Sequence, residues 1–143
     1  CLGATNSPAG ACLGTLTVAC VPILQAIKEL VGKTQIAIDL KWTSPQVNRN
    51  LVSNWHVDAN HAGLSLSIGL GDFRGGELFL KRRLGPSALR VPASNRAVLF
   101  SGLREHASMT FTGERWSLIL FCHIPVGELP AEMLESFNAL LLM

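Results

Sequence analysis

His56, Asp58 and His106, followed by Arg115 and Ser117, are the residues whose types and order suit them to chemistry. In an extended segment, side chains two apart project to the same side, so His56 and Asp58 can grip one ion while Val57 faces away. If His106 arrives from a strand that folds back, two imidazoles and one carboxylate cover one face of a six-coordinate metal. Three positions then stay open, the donor set suited to a non-haem Fe(II) centre that handles oxygen. Arg115 and Ser117 are also two apart, so a guanidinium and a hydroxyl are expected to point together into the same cavity, with Trp116 and Leu118 outside it. A guanidinium holds a carboxylate through two parallel charge-assisted bonds that lysine cannot reproduce, and the pair reads as a carboxylate receptor.

These side chains need strands to carry them. Residues 1 to about 17 are rich in Gly, Ala, Ser and Thr without a period and read as a loop-like lead-in. From Pro22 to Gly32 an amphipathic helix is expected, with Ile23, Ile27, Leu30 and Val31 on the face that covers a sheet. The period then changes to two: Ile36, Ile38, Leu40 and Trp42 predict a half-buried strand ending at Ser44-Pro45. Leu64 to Leu70 and Glu77 to Leu80 read as a hairpin about the Gly71–Gly76 turn, and residues 85–94 as a loop. Further strands are expected at Ala97–Ser101, His106–Phe111 and Arg115–Cys122, with Thr112-Gly113-Glu114 as a tight turn between the last two. Pro130 opens a terminal helix with Met133, Phe137, Leu140 and Leu141 on one face. Many short strands, Gly-rich turns and flanking helices predict a mainly β sandwich or barrel.

At 143 residues, 48% hydrophobic and 15% charged, the chain is expected to be one soluble domain, 1–143, and, starting at Cys1, a fragment of a longer protein or a processed domain. A net charge of +2 gives no case for nucleic-acid binding, and Lys81-Arg82-Arg83 reads as a solvated loop. The apolar start is interrupted by Asn6, Pro8, Gly10 and Gly14, which excludes a membrane span there and points to an intracellular, cytoplasmic or nuclear, location. The four cysteines show no C-x-x-C pair, and reduced thiols are expected. His61 and His123 read as surface or hydrogen-bonded core residues rather than ligands.

Taken together, the His56-x-Asp58 pair, the Gly71-Asp72-Phe73-x-Gly75-Gly76-Glu77-Leu78 stretch, Phe100-Ser101-Gly102, then His106 and Arg115-x-Ser117 resemble the core of the Fe(II)- and 2-oxoglutarate-dependent dioxygenases, from about residue 34 to 123. The resemblance extends both to the nucleobase-oxidising and to the prolyl-hydroxylase-like members. It implies a double-stranded β-helix of the jelly-roll or cupin-like kind, and Fe(II) on His56, Asp58 and His106. It also implies 2-oxoglutarate with its far carboxylate on Arg115 and Ser117, and a polar residue near the other end, for which Asn48 is the choice. The implied reaction is hydroxylation of a C–H bond with O2, releasing succinate and CO2, with ascorbate as a reductant. The substrate is left open between a protein side chain, a nucleobase and a small molecule. The other reading is a catalytically silent β-helix that binds a ligand or partner.

Overall fold

The computed structural model describes residues 2–7, 10–34, 40–123, 130–132 and 135. In chain order the elements are β1 (Ala4–Ser7), β2 (Gly10–Leu13), α1 (Thr15–Ala19), α2 (Val21–Lys33), β3 (Ser44–Arg49), β4 (Ala62–Leu70), β5 (Phe73–Gly75), β6 (Leu78–Lys81), β7 (Ala88–Val91), β8 (Ala97–Phe100), β9 (His106–Ser108), β10 (Phe111–Gly113) and β11 (Trp116–Cys122). All pairings between these strands are antiparallel. A four-stranded sheet has the order β3-β11-β4-β8, a three-stranded sheet the order β7-β6-β9, and β10-β5 and β1-β2 form two-stranded pairs.

The period of two explains how the larger sheet can serve two purposes. Leu118 lies opposite Ile68 and Leu120 opposite Leu66, and these four pack with Ile27 and Val31 of α2 in one apolar cluster, flanked by Leu30, Leu40, Trp42 and Ala97. Each fully buried aliphatic side chain of this kind contributes about 1.5–3 kcal/mol, so the helix is held chiefly by this face. Ser117, Ile119 and Phe121, the alternate residues of β11, line a cavity on the opposite face together with Ser67 of β4. A second apolar cluster, Leu78, Leu80 and Phe100 with Val91 and Val98, joins the smaller sheet to β8.

Helix α2 begins with Pro in its first turn and ends at Thr34, whose amide and hydroxyl both donate to the Val31 carbonyl at 2.9 and 2.7 Å. Its buried residues are Leu24, Ile27 and Val31, whereas Ile23 is exposed. The apolar stripe is therefore turned by one residue from the expected one. Beside it, an apolar groove of about 490 Å³ runs between α2 and the sheet, lined by Ile23, Ala26, Val47, Leu70 and Trp116 among others. No helix of the described residues is long and apolar enough to cross a membrane.

Several expectations are corrected. The lead-in holds β1, β2 and α1, fixed in part by the Thr17 hydroxyl, which accepts from the Gly3 amide at 2.9 Å. Ser44-Pro45 opens a strand rather than closing one, because Pro45 faces Leu120 across β3–β11. β4 and β6 do not form a hairpin; β4 pairs with β11 and β8, and β6 with β7 and β9. The predicted loop at 85–94 contains β7, and the predicted strand at 106–111 breaks into β9 and β10. Thr112 and Gly113 of the tight turn expected between the last strands belong to β10, which pairs with β5, and Glu114 follows it. Ile36 and Ile38 of the first predicted strand, and most of the terminal helix, lie outside the described residues.

Candidate metal centre

Asn50 ends β3 in the left-handed region, with φ of 52°, a conformation asparagine tolerates better than most residues. Its amide donates to the Arg115 carbonyl at 2.8 Å, and its side-chain oxygen accepts from the Arg115 amide at 2.9 Å. The chain then leaves the large sheet and runs beside β9. Ser53 and Ser108 bond through backbone and hydroxyl groups, the Ser53 amide donating to Ser108 Oγ at 2.8 Å. Further along, the His56 amide donates to the His106 carbonyl and the His106 amide to the His56 carbonyl, both at 2.9 Å. Two histidines far apart in sequence thus lie directly opposite one another. The Asp58 amide donates to the Gly102 carbonyl at 2.9 Å, which anchors the third residue to the same neighbour segment.

Side-chain nitrogen atoms of His56 and His106 and a carboxylate oxygen of Asp58 all lie within 4.8 Å of one another. Nε2 of His56 is 3.5 Å from Asp58 Oδ1, and Nε2 of His106 is 3.5 Å from Asp58 Oδ2. Each imidazole has its other nitrogen occupied: Nδ1 of His56 lies 2.7 Å from the Asn54 carbonyl, and Nδ1 of His106 lies 2.7 Å from the Arg104 carbonyl. A carbonyl only accepts, so Nδ1 carries the proton and, in the neutral ring, Nε2 keeps a lone pair facing the carboxylate. This is the tautomer a metal ligand needs, fixed by backbone carbonyls. The donor set of two nitrogens and one oxygen, convergent and pre-oriented, fits a divalent transition metal.

Burial works to raise the Asp58 carboxyl, but the hydrogen bond from His106 and the charges of His61, His106 and His56 outweigh it and hold the group below its ordinary value. For His106 burial acts to lower the pKa, yet the bonds to Asp58 and to the Arg104 carbonyl prevail and raise it. Both shifts run toward the charged forms of the pair, and a metal held by Asp58 and His106 would compete with the proton on His106.

The cavity, about 140 Å³, is lined by the three metal-site residues, by Gln46, Asn48, Ser67 and Ser117 of the large sheet, and by Ser53 and Ser108. Asn48 and Ser117 lie opposite one another in β3 and β11, with Asn48 Nδ2 donating to Ser117 Oγ at 3.4 Å and Gln46 Nε2 to Asn48 Oδ1 at 2.9 Å. Arg115 is not among the lining residues. It sits behind Leu51, which lines the cavity and whose carbonyl accepts from Arg115 Nη1 at 3.1 Å. Arg115 is only 5% exposed, its Nε has no hydrogen-bond partner, and its guanidinium lies 5.7 and 5.5 Å from the Phe73 and Phe111 ring centroids. Desolvation lowers its pKa. Among the described residues this buried cation meets a carbonyl and two aromatic faces and no carboxylate, an arrangement that leaves room for an anionic partner.

His61 is, as expected, a hydrogen-bonded core residue outside the ligand group. Its Nδ1 is 3.2 Å from Asp58 Oδ2, and its ring stacks on Phe121 with centroids 3.9 Å apart. Burial pulls its pKa down against the pull of Asp58, so the neutral ring is favoured. Its five-residue offset from His56 suggests nothing in an extended segment; the signal lies in the turn, where the His61 amide donates to the Asp58 carbonyl at 3.0 Å. Gly102 makes the packing possible, since a Cβ there would lie 2.9 Å from both Asp58 Oδ2 and His61 Nδ1. The His123 ring packs edge-on against Phe121, with centroids 6.3 Å apart. Trp55, 45% exposed, meets Phe79 edge-on beside the site. Glu77 pairs with Arg90 and Lys81 with Glu105, which spends part of the basic cluster on local ion pairs.

No protein-family model and no curated protein matches the chain. Its fold is similar to the crystal structure of an oxidoreductase of the 2OG-Fe(II) oxygenase family from Burkholderia pseudomallei, with a TM-score of 0.58 and 22% sequence identity. The likeness covers 82% of this chain and 64% of that one, so the chain spans under two thirds of that structure's length. At this identity the shared property is a mainly β fold of antiparallel sheets, in which the His56, Asp58 and His106 cluster is set.

Proposed function

We propose that the chain is the double-stranded β-helix core of an Fe(II)- and 2-oxoglutarate-dependent oxygenase that hydroxylates a C–H bond. The observation that carries this reading is the convergence of His56, Asp58 and His106 within 4.8 Å, with both imidazoles held in the metal-binding tautomer by the Asn54 and Arg104 carbonyls. In this reading the three residues hold the iron by one face. Ser117 and, from behind Leu51 rather than from the cavity wall, Arg115 take the far carboxylate of 2-oxoglutarate, and Asn48 serves its other end. The uncompensated guanidinium of Arg115 supports the anion site, and the likeness to a 2OG-Fe(II) oxygenase family structure supports the superfamily. The chemistry that iron and 2-oxoglutarate supply when bound is oxidation of the substrate by O2 with release of succinate and CO2. His56, with 41% of its side chain exposed, leaves the centre open on one side for a substrate that is a protein side chain, a nucleobase or a small molecule.

The test uses purified protein with Fe(II), ascorbate, O2 and 2-oxoglutarate, measuring succinate. Slow release without added substrate is the expected result, and His56→Ala or Asp58→Ala should abolish both this release and iron binding. Unchanged turnover in both variants overturns the reading. Anaerobic Fe(II) plus 2-oxoglutarate should also give visible charge-transfer absorbance; its absence favours a silent binding module.

A further inference from the structure

We propose that His61 is a positioning residue for the metal centre: its Nδ1–H holds the Asp58 oxygen that is not given to the ion, and so fixes the carboxylate's orientation. This rests on the metal-site reading above.

A carboxylate that binds a metal through one oxygen leaves a second, partly charged oxygen that needs a donor when half-buried. Among the described residues three side chains lie close enough to Asp58 to serve, namely His56, His106 and His61. The first two are eliminated once a metal is bound. Their Nδ1 protons go to the Asn54 and Arg104 carbonyls, so their Nε2 atoms carry lone pairs toward the metal and have no proton to offer Asp58. Among the described residues His61 alone remains, with Nδ1 at 3.2 Å from Oδ2. It is not itself a member of the convergent ligand set.

The ring is built into place rather than resting there. It stacks on Phe121 with an interplanar angle of 12°, Ser65 Oγ approaches Nδ1 at 3.5 Å, and the Gly102 backbone closes over both His61 and Asp58. Ser65 is itself buried. Rotation of the imidazole out of line with Asp58 would sacrifice the Phe121 stack, so the donor direction is set by packing.

The experiment separates a donor from a packing group. His61→Phe keeps a ring on Phe121 without a donor, whereas His61→Asn places an N–H close to the position of Nδ1 without the ring. Co(II) is titrated into each metal-free protein while its visible absorption is recorded, and the melting temperature of each metal-free protein is measured. Expected is a loss of Co(II) affinity of about 10- to 100-fold in His61→Phe, with altered absorption bands and little change in metal-free melting, and recovery of most of that affinity in His61→Asn. The proposal is overturned if His61→Phe binds Co(II) as tightly as the wild type with the same spectrum, or if His61→Asn is no better than His61→Phe. Failure of the wild type to bind Co(II) at all would instead sink the metal-site reading, and this proposal with it.

Discussion

The buried guanidinium of Arg115 is held by one carbonyl and two aromatic faces, with Nε left over. Lysine at this place would keep a charge but lose the planar fork and the stacking on Phe73 and Phe111. On the proposed oxygenase reading, Arg115→Lys is therefore expected to weaken 2-oxoglutarate binding by about 1.5–3 kcal/mol, roughly one to two decades, while iron affinity stays nearly intact. Paired titrations of metal and co-substrate on wild type and variant measure this. Equal co-substrate affinity would make Arg115 a structural residue. That His56, Asp58 and His106 come together was legible because residue type and the two-residue spacing carry the donor set directly. The role of His61 was not, because it arises from a turn and from the absence of a side chain at Gly102, a close approach that no local pattern records.

At the level of elements, β11 is the hinge between stability and site. Its even-numbered residues Leu118 and Leu120 build the core under α2, and Ser117, Ile119 and Phe121 face the cavity. Leu66, fully buried opposite Leu120, belongs to the first set alone. Leu66→Ala should cost about 2–5 kcal/mol of stability through lost burial and the void left behind. The expected signature is a lower denaturant midpoint, with metal affinity of the folded protein little changed; a large loss of affinity at full folding would show that the two faces are not separable. Alternation made β4, β8 and β11 readable from sequence, since each has one face in a core. It failed where strands are short or bent: β7 sits in a Pro-bounded stretch, and β5 and β10 are three residues each. Strand partners were unreadable for a different reason, as pairing β6 with β9 rather than β4 depends on contacts remote in sequence.

Across the whole molecule, the large sheet separates a polar cavity of about 140 Å³ from an apolar groove of about 490 Å³ on its helix side. The larger space has no chemistry-bearing side chain beyond Ser117, so size alone would direct attention to the wrong face. Charge is no better guide, because the net value is small and exposed arginine and lysine residues are partly spent on Glu77, Glu105 and Glu114. What locates the site is convergence of groups from β3, β9, β11 and the 50–61 segment, and convergence exists only once the chain has folded.

The amides of His56, Asp58 and His106 all donate across one backbone seam, to the carbonyls of His106, Gly102 and His56. Opening that seam must therefore dismantle the candidate metal centre, and an ion bound there would resist the opening. Amide hydrogen exchange reads this directly. With free metal at a hundredfold its dissociation constant, the linkage is worth about 2.7 kcal/mol, so exchange at these three amides through local opening should slow by roughly a hundredfold and by a common factor. Slowing at one ligand amide without the others would mean that the seam opens in pieces. A common factor would make this short backbone pairing the latch through which the ion protects the 50–61 segment from unravelling.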